Sequence, residues 1–165
     1  MRTDSSEVAV DHEQYMRRAI ELSREKMRDG EGGPFAAVVV RDGEILGEGW
    51  NRVTGHNDPT AHAEIVAIRE ACRAGECFSL EGCAIYTTCE PCPMCLAAIY
   101  WARIERVYFA NTTEDAAHIG FDDAFLYREL AMPANERSLP AERLLADEAM
   151  AVFTEWAGDP DRVPY

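Results

Sequence analysis

The sequence predicts an α/β protein whose single sheet is covered by helices on both faces, a three-layer α/β/α architecture. Short apolar runs rich in β-branched residues alternate along the chain with longer segments in which apolar residues recur at helical spacing. An Asp-Gly pair separates the first two of these runs, so the first two strands should form an antiparallel hairpin. A length of 165 residues with 47% hydrophobic residues is enough for one buried core and too little for two full domains.

The first predicted element is a helix over residues 11–28, in which Tyr15, Ala19 and Leu22 form one apolar stripe. A glycine-rich loop over residues 29–34 ends this helix. Four strands are predicted after the loop, at residues 35–40, 45–51, 83–87 and 107–110. Further helices are predicted at residues 59–74, 92–102, a short stretch near 115, 122–130 and 140–156.

Prolines mark the starts of the helices on either side of the third strand. Asp58 and Pro59 are typical of an N-cap and a first helical position. Pro91 and Pro93 introduce the helix that begins near residue 92. The histidine and cysteine motifs of the chain lie at these two helix starts.

The chain is predicted to divide into a sheet-forming domain over residues 1–131 and a C-terminal arm over residues 132–165. The predicted sheet is complete without the arm. The last helix nevertheless presents Leu145, Val152 and Trp156 on one apolar face. Such a face has to be buried, and a partner subunit is one candidate for covering it.

The acidic composition limits the classes of partner. The chain has 16 basic and 30 acidic residues and a net charge of −14, so it repels phosphate backbones and nucleic acid is not expected as a partner. No segment approaches the roughly 20 apolar residues that cross a bilayer. No signal peptide is visible, so we expect no membrane association and a cytoplasmic location. Because thiols stay reduced there, the six cysteines are expected to be metal ligands or buried thiols.

Three residues form a candidate zinc site. His62 begins a His-Ala-Glu triplet, and Cys92 and Cys95 belong to a Pro-Cys-Pro-Met-Cys motif. One imidazole and two thiolates suit Zn²⁺, and three protein ligands leave the fourth position for a catalytic water. Cysteines three apart at a helix start lie on one side of its first turn, where the helix dipole favours the thiolate. We expect one Zn²⁺ per subunit.

Glu64 is predicted to move protons and not to bind the metal. Residues two apart do not face each other along a helix. His62 and Glu64 are both predicted in the first turn after Pro59, however, and both can approach an ion placed off that end of the helix. The predicted geometry is two helix N-termini pointing at one ion. Glu64 would take a proton from the zinc-activated water and pass it to a leaving amine.

Each motif has a commoner explanation when taken alone. Cys-x-x-Cys also occurs in redox pairs and structural zinc sites, a lone histidine is more often a surface residue, and Glu64 is a favourable first-turn charge. Cys89 could compete as a ligand, but it lies outside the helical turn and is expected to be a bystander. Taken together, the His-Ala-Glu triplet and the Pro-Cys-x-x-Cys motif match the signature of zinc deaminases.

Two longer segments, Asn-Asp-Pro-Thr-Ala-His-Ala-Glu at residues 57–64 and Thr-Cys-Glu-Pro-Cys-Pro-Met-Cys at residues 88–95, resemble the cytidine-deaminase-like superfamily. Within it, Ala-Ile-Tyr-Trp-Ala-Arg at residues 98–103 and Gly-Phe-Asp-Asp-Ala-Phe at residues 120–125 resemble bacterial guanine deaminases. The similarity covers roughly residues 15–136 and the final tyrosine. It implies a mixed five-stranded sheet, and it implies hydrolysis of a small-molecule purine, guanine, to xanthine and ammonia.

The resemblance also implies roles for particular residues. Asn51 holds the base, while Phe35 and the backbone of Ala63 line the pocket. Asp123 is a second catalytic acid that faces the amino side of the purine, where a carboxylate accepts from guanine N–H groups. The C-terminal Tyr165 closes the site, delivered from the other subunit of a homodimer that exchanges its C-terminal arms. Without the resemblance, Asn51 is equally a turn former, and the aspartates before the next helix are equally an ordinary cap.

Several other functions stay open from the sequence. Related deaminases act on guanosine, on aminotriazines such as ammeline, or on cytosine. Transfer-RNA adenosine deaminases share both zinc motifs, although the net charge of −14 opposes that alternative. A non-catalytic, zinc-stabilised binding protein is the alternative from another class. Glu64 argues against it, since a purely structural site fills its fourth position with protein and needs no proton shuttle.

Overall fold

The computed structural model describes residues 11–165, which form two compact units, one ending at Asp123 and the other spanning Ala124–Tyr165. The elements of the first unit are α1 (His12–Arg28), β1 (Ala36–Arg41), β2 (Glu44–Trp50), α2 (Val53–His56), α3 (Ala63–Ala74), β3 (Ala84–Cys89), α4 (Pro93–Trp101), β4 (Arg106–Asn111) and α5 (Thr113–His118). Those of the second unit are α6 (Ala124–Ala131), a 3-10 turn (Ala134–Glu136) and α7 (Ala146–Gly158).

The strands of the first unit form one mixed sheet in the order β2-β1-β3-β4. β1 is antiparallel to both of its neighbours, with Ala36 opposite Trp50 on β2 and antiparallel pairing to β3 on the other side. β3 and β4 are parallel. Asp42 and Gly43 form the turn between β1 and β2, both at positive φ, so the predicted Asp-Gly hairpin is confirmed.

Helices cover both faces of this sheet. On one face, α1 packs Tyr15 and Ala19 against Val38, Val40 and Tyr86. On the other face, residues of α3 and α4 join the opposite side chains of β1 and β3 in a second core, since successive strand residues point to opposite faces. The predicted α/β architecture is therefore confirmed. Among residues 11–165, no helix combines the length and the apolar character needed to cross a lipid bilayer.

Two glycines of β2 allow α3 to lie directly on the sheet. A Cβ atom on Gly49 would lie 2.2 Å from the backbone oxygen of Ala63, and one on Gly47 would lie 2.5 Å from that of Ala67. A side chain at either position would push α3 outward. The first turn of α3 is thus held against the end of β2.

The sheet has four strands over residues 11–165, so the five-stranded sheet implied by the family resemblance is wrong for this chain. After β4 the chain enters α5, whose start is fixed by a reciprocal capping box between Thr112 and Asp115. α6 follows, with Leu126 and Leu130 four residues apart, which is helical spacing and not strand alternation. The segment after β4 therefore forms helices, and β4 stays at the edge of the sheet.

The start of α3 also differs from its prediction. The helix begins at Ala63, four residues later than the predicted start. The Asp58 carboxylate accepts from both the backbone N–H and the hydroxyl of Thr60, so it stabilises a turn and does not cap a helix. The preceding short helix α2 has no counterpart in the prediction. His62, which the sequence predicts inside the first turn, is instead the N-cap of α3.

The second unit begins at Ala124, eight residues before the predicted arm, and none of its residues up to Tyr165 is buried. α7 begins at Ala146, six residues later than predicted, after Leu145 at positive φ. The unit's exposed large apolar residues are Phe125, Leu126, Tyr127, Leu130, Met132, Leu139, Leu144, Leu145, Met150, Val152, Phe153, Trp156, Val163 and Tyr165. A segment of this size without a buried core lacks the burial that stabilises small domains.

Candidate metal centre and its pocket

Three candidate ligand atoms meet in the first unit. Nδ1 of His62 lies 3.6 Å from Sγ of Cys92 and 3.5 Å from Sγ of Cys95, and all three atoms lie within 4.8 Å of one another. A tetrahedral zinc ion with ordinary Zn–N and Zn–S bonds separates nitrogen and sulfur ligands by about 3.6 Å. The donor set and its spacing therefore fit a zinc ion with three protein ligands.

Two helix N-termini deliver these ligands. His62 is the extended N-cap of α3, Cys92 is the extended N-cap of α4, and Cys95 lies in the first turn of α4 behind Pro93. Within these described helices, neither cap side chain bonds to its own backbone. The imidazole and the thiols converge on each other instead, as the sequence predicted for two helix ends that point at one ion.

Hydrogen bonding shifts the pKa values of the two cysteine thiols in opposite directions. The hydrogen bond with Cys95 lowers the pKa of Cys92 to about 4, and the bond with His62 acts in the same direction. The pKa of Cys95 is raised by the same hydrogen bond, which links it to Cys92, and by burial. The hydrogen bond with Cys92 also raises the pKa of His62. The Cys92 thiol therefore ionises more readily than a free cysteine, and the thiolate is the form in which cysteine binds metal.

Glu64 lies beside this cluster, which among the described residues consists of the histidine and the two cysteines. Glu64 is the second residue of α3 and is only 7% exposed. The hydroxyl of Thr87 lies 3.4 Å from its Oε1. Burial raises the pKa of the Glu64 carboxyl group, so this group binds a proton more readily than an exposed glutamate does. Such a carboxyl group can accept a proton and return it.

A pocket of about 250 Å³ adjoins the ligand cluster and is lined by His62, Cys92 and Glu64. The same pocket is lined by four further residues that the sequence assigned to substrate, namely Phe35, Asn51, Ala63 and Asp123. Sites for drug-sized ligands measure about 300–1,000 Å³, so this pocket suits a single small heterocycle. A wider cleft of about 1010 Å³ beside α1, at the other end of the strands, contains none of these residues.

Asn51 and Asp123 bring complementary polar groups to the pocket. Asn51 is 8% exposed, and its Oδ1 accepts from the backbone N–H of Val53 at 3.2 Å. This bond orients the amide, whose NH₂ group is left as the donor for a bound molecule. Burial, followed by the negative charge of Cys92, raises the pKa of the Asp123 carboxyl group. Glu90 also lines the pocket, and its Oε2 accepts from the backbone N–H of Thr113 at 3.3 Å. The pocket therefore offers the Asn51 amide as a donor and the carboxyl groups of Glu64 and Asp123 beside that of Glu90.

Several residues that line the pocket are missing from the sequence prediction, and Phe121 and Cys89 are two of them. Phe121 packs edge-on against Phe35, with ring centroids 4.9 Å apart and an interplanar angle of 87°. Cys89 forms part of the wall, and burial raises its pKa to about 11, so it is a neutral thiol. Strand alternation could have found Cys89, since it shares a face of β3 with the core residue Ile85.

Tyr165 ends the second unit, and its side chain is 75% exposed. Every residue that lines the pocket belongs to the first unit. The role of Tyr165 in closing a site, and the exchange of arms between subunits, stay predictions.

Comparison with known proteins identifies relatives of this chain. The family described as the cytidine and deoxycytidylate deaminase zinc-binding region matches residues 9–111. Guanine deaminase from Bacillus subtilis is 47% identical over 156 residues, which covers 94% of this chain and 100% of the relative. A tRNA-specific adenosine deaminase from Aquifex aeolicus is 43% identical over 113 residues, 68% of this chain and 73% of the relative. A crystal structure of the Bacillus subtilis guanine deaminase matches with a TM-score of 0.91 and 48% identity, covering 94% of this chain and 99% of that one.

Proposed function

Because this chain belongs to the zinc-dependent family of the cytidine and deoxycytidylate deaminases, we propose that it hydrolyses guanine to xanthine and ammonia. One observation carries the choice of guanine. The carboxyl groups of Glu64 and Asp123 line one small pocket next to the zinc ligands, together with Glu90, whose Oε2 accepts from the Thr113 backbone. A base with several N–H donors needs such acceptors. Similarity to a guanine deaminase along 94% of the chain supports the same substrate.

His62, Cys92 and Cys95 would hold the zinc ion that this family uses. Zinc bound there supplies a hydroxide nucleophile near neutral pH, because it lowers the pKa of water to about 7. Three protein ligands leave one side of the site open to the pocket. His62 and Cys92 line that pocket, so the ligands and the substrate share one compartment.

Glu64 is the proton carrier in the proposed reaction. When the water oxygen attacks C2 of guanine, the Glu64 carboxylate takes up the proton that the water loses. The protonated carboxyl group then donates to the 2-amino nitrogen as the C2–N bond breaks and ammonia leaves. The buried position of Glu64 and its raised pKa support this cycle, since the group can hold the proton between the two steps.

Asn51 and Asp123 are proposed to recognise the polar edges of the base. Guanine presents O6 and N7 as acceptors, and its N2 amino group as a donor. The NH₂ group of Asn51 suits the acceptors, because its Oδ1 is already engaged by Val53. The Asp123 carboxyl group suits the donors. Phe35 and Phe121 supply apolar surface beside the ring.

Deamination of transfer RNA is the alternative that the relatives raise, since a tRNA-specific adenosine deaminase is 43% identical over 113 residues. The net charge of −14 opposes binding of a polyanion. A pocket for adenine also needs fewer hydrogen-bond acceptors, so a second acid beside Glu64 is less expected there. Guanosine, ammeline and cytosine stay as small-molecule alternatives.

We further propose that the protein is a homodimer whose C-terminal arms are exchanged between subunits. The second unit has no buried core over Ala124–Tyr165 and exposes large apolar side chains along α7. A partner subunit that covered this surface would provide the burial that the unit lacks. Tyr165 would then close the pocket of the partner. The exchange is motivated by the family resemblance and by this uncovered surface.

The reaction is proposed to take place in the cytoplasm. All six cysteines are free thiols, and Cys77 among them is exposed. Exposed thiols persist in reducing compartments, which supports this location.

A substrate panel tests the proposed function. Ammonia release would be measured side by side on guanine, guanosine, ammeline, cytosine, adenine and a tRNA anticodon stem-loop, and guanine should be fastest. The variant Asp123→Asn should lower kcat/KM for guanine by about 10- to 100-fold, the worth of a hydrogen bond to a charged group. The variant Glu114→Gln, which changes an exposed carboxyl group on α5, serves as the control. Faster turnover of cytosine would overturn the guanine assignment and leave the zinc chemistry intact.

A further inference from the structure

A carboxylate joins the end of α1 to the end of β2 beside the pocket. Trp50 is the last residue of β2 and directly precedes Asn51. Its indole Nε1–H donates to Oε2 of Glu31 at 2.8 Å, while Oε1 of Glu31 accepts from Nζ of Lys26 at 3.0 Å. We refer to this set of three residues, Lys26, Glu31 and Trp50, as the Glu31 latch. Glu31 itself lies in the glycine-rich loop that connects α1 to β1.

Lys26 is the only lysine among the 16 basic residues of the chain. Its side chain is 19% exposed, and Nζ lies 4.6 Å from the centre of the Trp50 ring. The guanidinium carbon of Arg52 lies 3.7 Å from the same ring centre. Two cations therefore contact one indole whose N–H group is also engaged, which restricts the indole's position. The hydrogen bond with Lys26 lowers the pKa of Glu31, so its carboxyl group is ionised at neutral pH.

The loop held by the latch lies directly on Asn51. A Cβ atom on Gly32 would lie 1.9 Å from the backbone oxygen of Asn51 and 3.0 Å from its Oδ1, so only glycine permits this contact. At the end of the loop, the backbone N–H of Asn51 donates to the oxygen of Phe35 at 3.0 Å. Asn51 thus contacts the loop at Gly32 and at Phe35, the residue just before β1. Its position depends on where the loop lies.

We propose that the Glu31 latch is a positioning device for Asn51, acting on substrate recognition through the loop at Gly32 without touching the substrate. This inference rests on the proposed function, in which Asn51 binds the base. Release of the latch lets the loop and the Asn51 amide move relative to the rest of the pocket. Because Asn51 contributes binding in both the ground state and the transition state, loss of its orientation raises KM more than it lowers kcat.

A second ion pair provides a matched control. Arg18 donates to Glu48 through Nε at 2.6 Å and Nη2 at 2.7 Å, so it also joins α1 to β2. Glu48 lies two residues before Trp50 on the same strand. A variant of this pair weakens the docking of α1 on β2 without releasing the loop. A purely structural role of the Glu31 latch predicts equal kinetic effects from both pairs.

The test compares Glu31→Gln, Trp50→Phe and Glu48→Gln as zinc-loaded proteins. We expect Glu31→Gln and Trp50→Phe to raise KM about tenfold, with kcat within about threefold of wild type, as for loss of a charge-assisted hydrogen bond. Glu48→Gln should leave both constants within about twofold. The double variant Glu31→Gln/Asn51→Ala should have the same KM as Asn51→Ala alone, because the latch acts only through Asn51. An equal KM increase in both backgrounds would overturn the proposal.

Amide hydrogen exchange adds a readout that needs no substrate. The backbone N–H of Asn51 should exchange faster in Glu31→Gln than in wild type, and at the wild-type rate in Glu48→Gln. Unchanged exchange in Glu31→Gln would refute the latch whatever the enzyme's substrate. If guanine is not the best substrate, the kinetic comparison is made on the fastest base of the panel. Failure of the guanine assignment is therefore distinct from failure of the latch.

Discussion

The two compact units of the chain differ in how far their apolar side chains are buried. In the first unit, five of the six residues of β1 are buried, and helices pack on both faces of the sheet. In the second unit, α7 is also rich in apolar residues, yet none of them is buried, and Phe153 is 70% exposed. The first unit thus contains its own core and the candidate metal site. The second unit exposes many large apolar side chains, as an interaction surface does, and another molecule or subunit would have to cover them.

Removal of zinc should have the largest effect and should act on the first unit. Treatment with a chelator is expected to abolish ammonia release from guanine, and added Zn²⁺ should restore it. The melting temperature should fall as well, because a shared ion no longer links the helix ends that carry His62, Cys92 and Cys95. Metal content, activity and thermal unfolding are measured on the same samples. Activity in metal-free protein would contradict the proposed site.

The variant Glu64→Gln should separate proton transfer from metal binding within the first unit. Activity should fall by about 100-fold or more, the usual contribution of a general acid–base group, while zinc content is unchanged. Glu70→Gln, on the same helix and paired with Arg73, provides the control and should retain wild-type activity. Wild-type turnover by Glu64→Gln would remove the shuttle role from this residue.

The variant Phe153→Ser should test whether the second unit is covered by another copy of the chain. We expect the dimer to dissociate into monomers at concentrations where wild type stays dimeric, because a large apolar side chain is lost from the surface. Glu155→Gln on the same helix is the control. Analytical ultracentrifugation measures both variants over a concentration series. A wild-type protein that sediments as a monomer would refute the proposed dimer.

Deletion of residues 163–165 should have the smallest effect on the fold and a selective effect on activity. If Tyr165 closes the pocket of a partner, kcat/KM for guanine should fall while the melting temperature changes little, since none of these residues is buried. The variant Val163→Ala, which keeps the tyrosine, is the comparison. An unchanged rate after the deletion would exclude Tyr165 from the site.

Local patterns predicted most of the first unit. The four predicted strands agree with the observed strands to within two residues at every end, because β-branched runs and the Asp-Gly turn act over short distances. The helix that carries Cys92 and Cys95 begins where the prolines place it. The three ligand residues were identified from side-chain chemistry and motif spacing, and the structure brings them together.

The predictions that failed depend on contacts between distant residues. Asp58 is a residue type that commonly caps helices, but here its carboxylate stabilises a turn. The helix begins only at Ala63, where the chain lies against Gly49 of β2. The family resemblance predicts a fifth strand, whereas the capping box at Thr112 starts a helix. Phe121 lines the pocket through its contact with Phe35, a pairing that no local pattern encodes.

By itself, the sequence determined which groups can hold a metal ion and move a proton, because those capacities belong to the imidazole, thiol and carboxyl groups themselves. Only the tertiary structure decided how these groups are arranged. Backbone contacts that glycine alone permits, at Gly49 and Gly32, place the start of α3 and the segment around Asn51 beside one small pocket. Such contacts join residues far apart in the chain, and their energy depends on close packing that local composition does not describe.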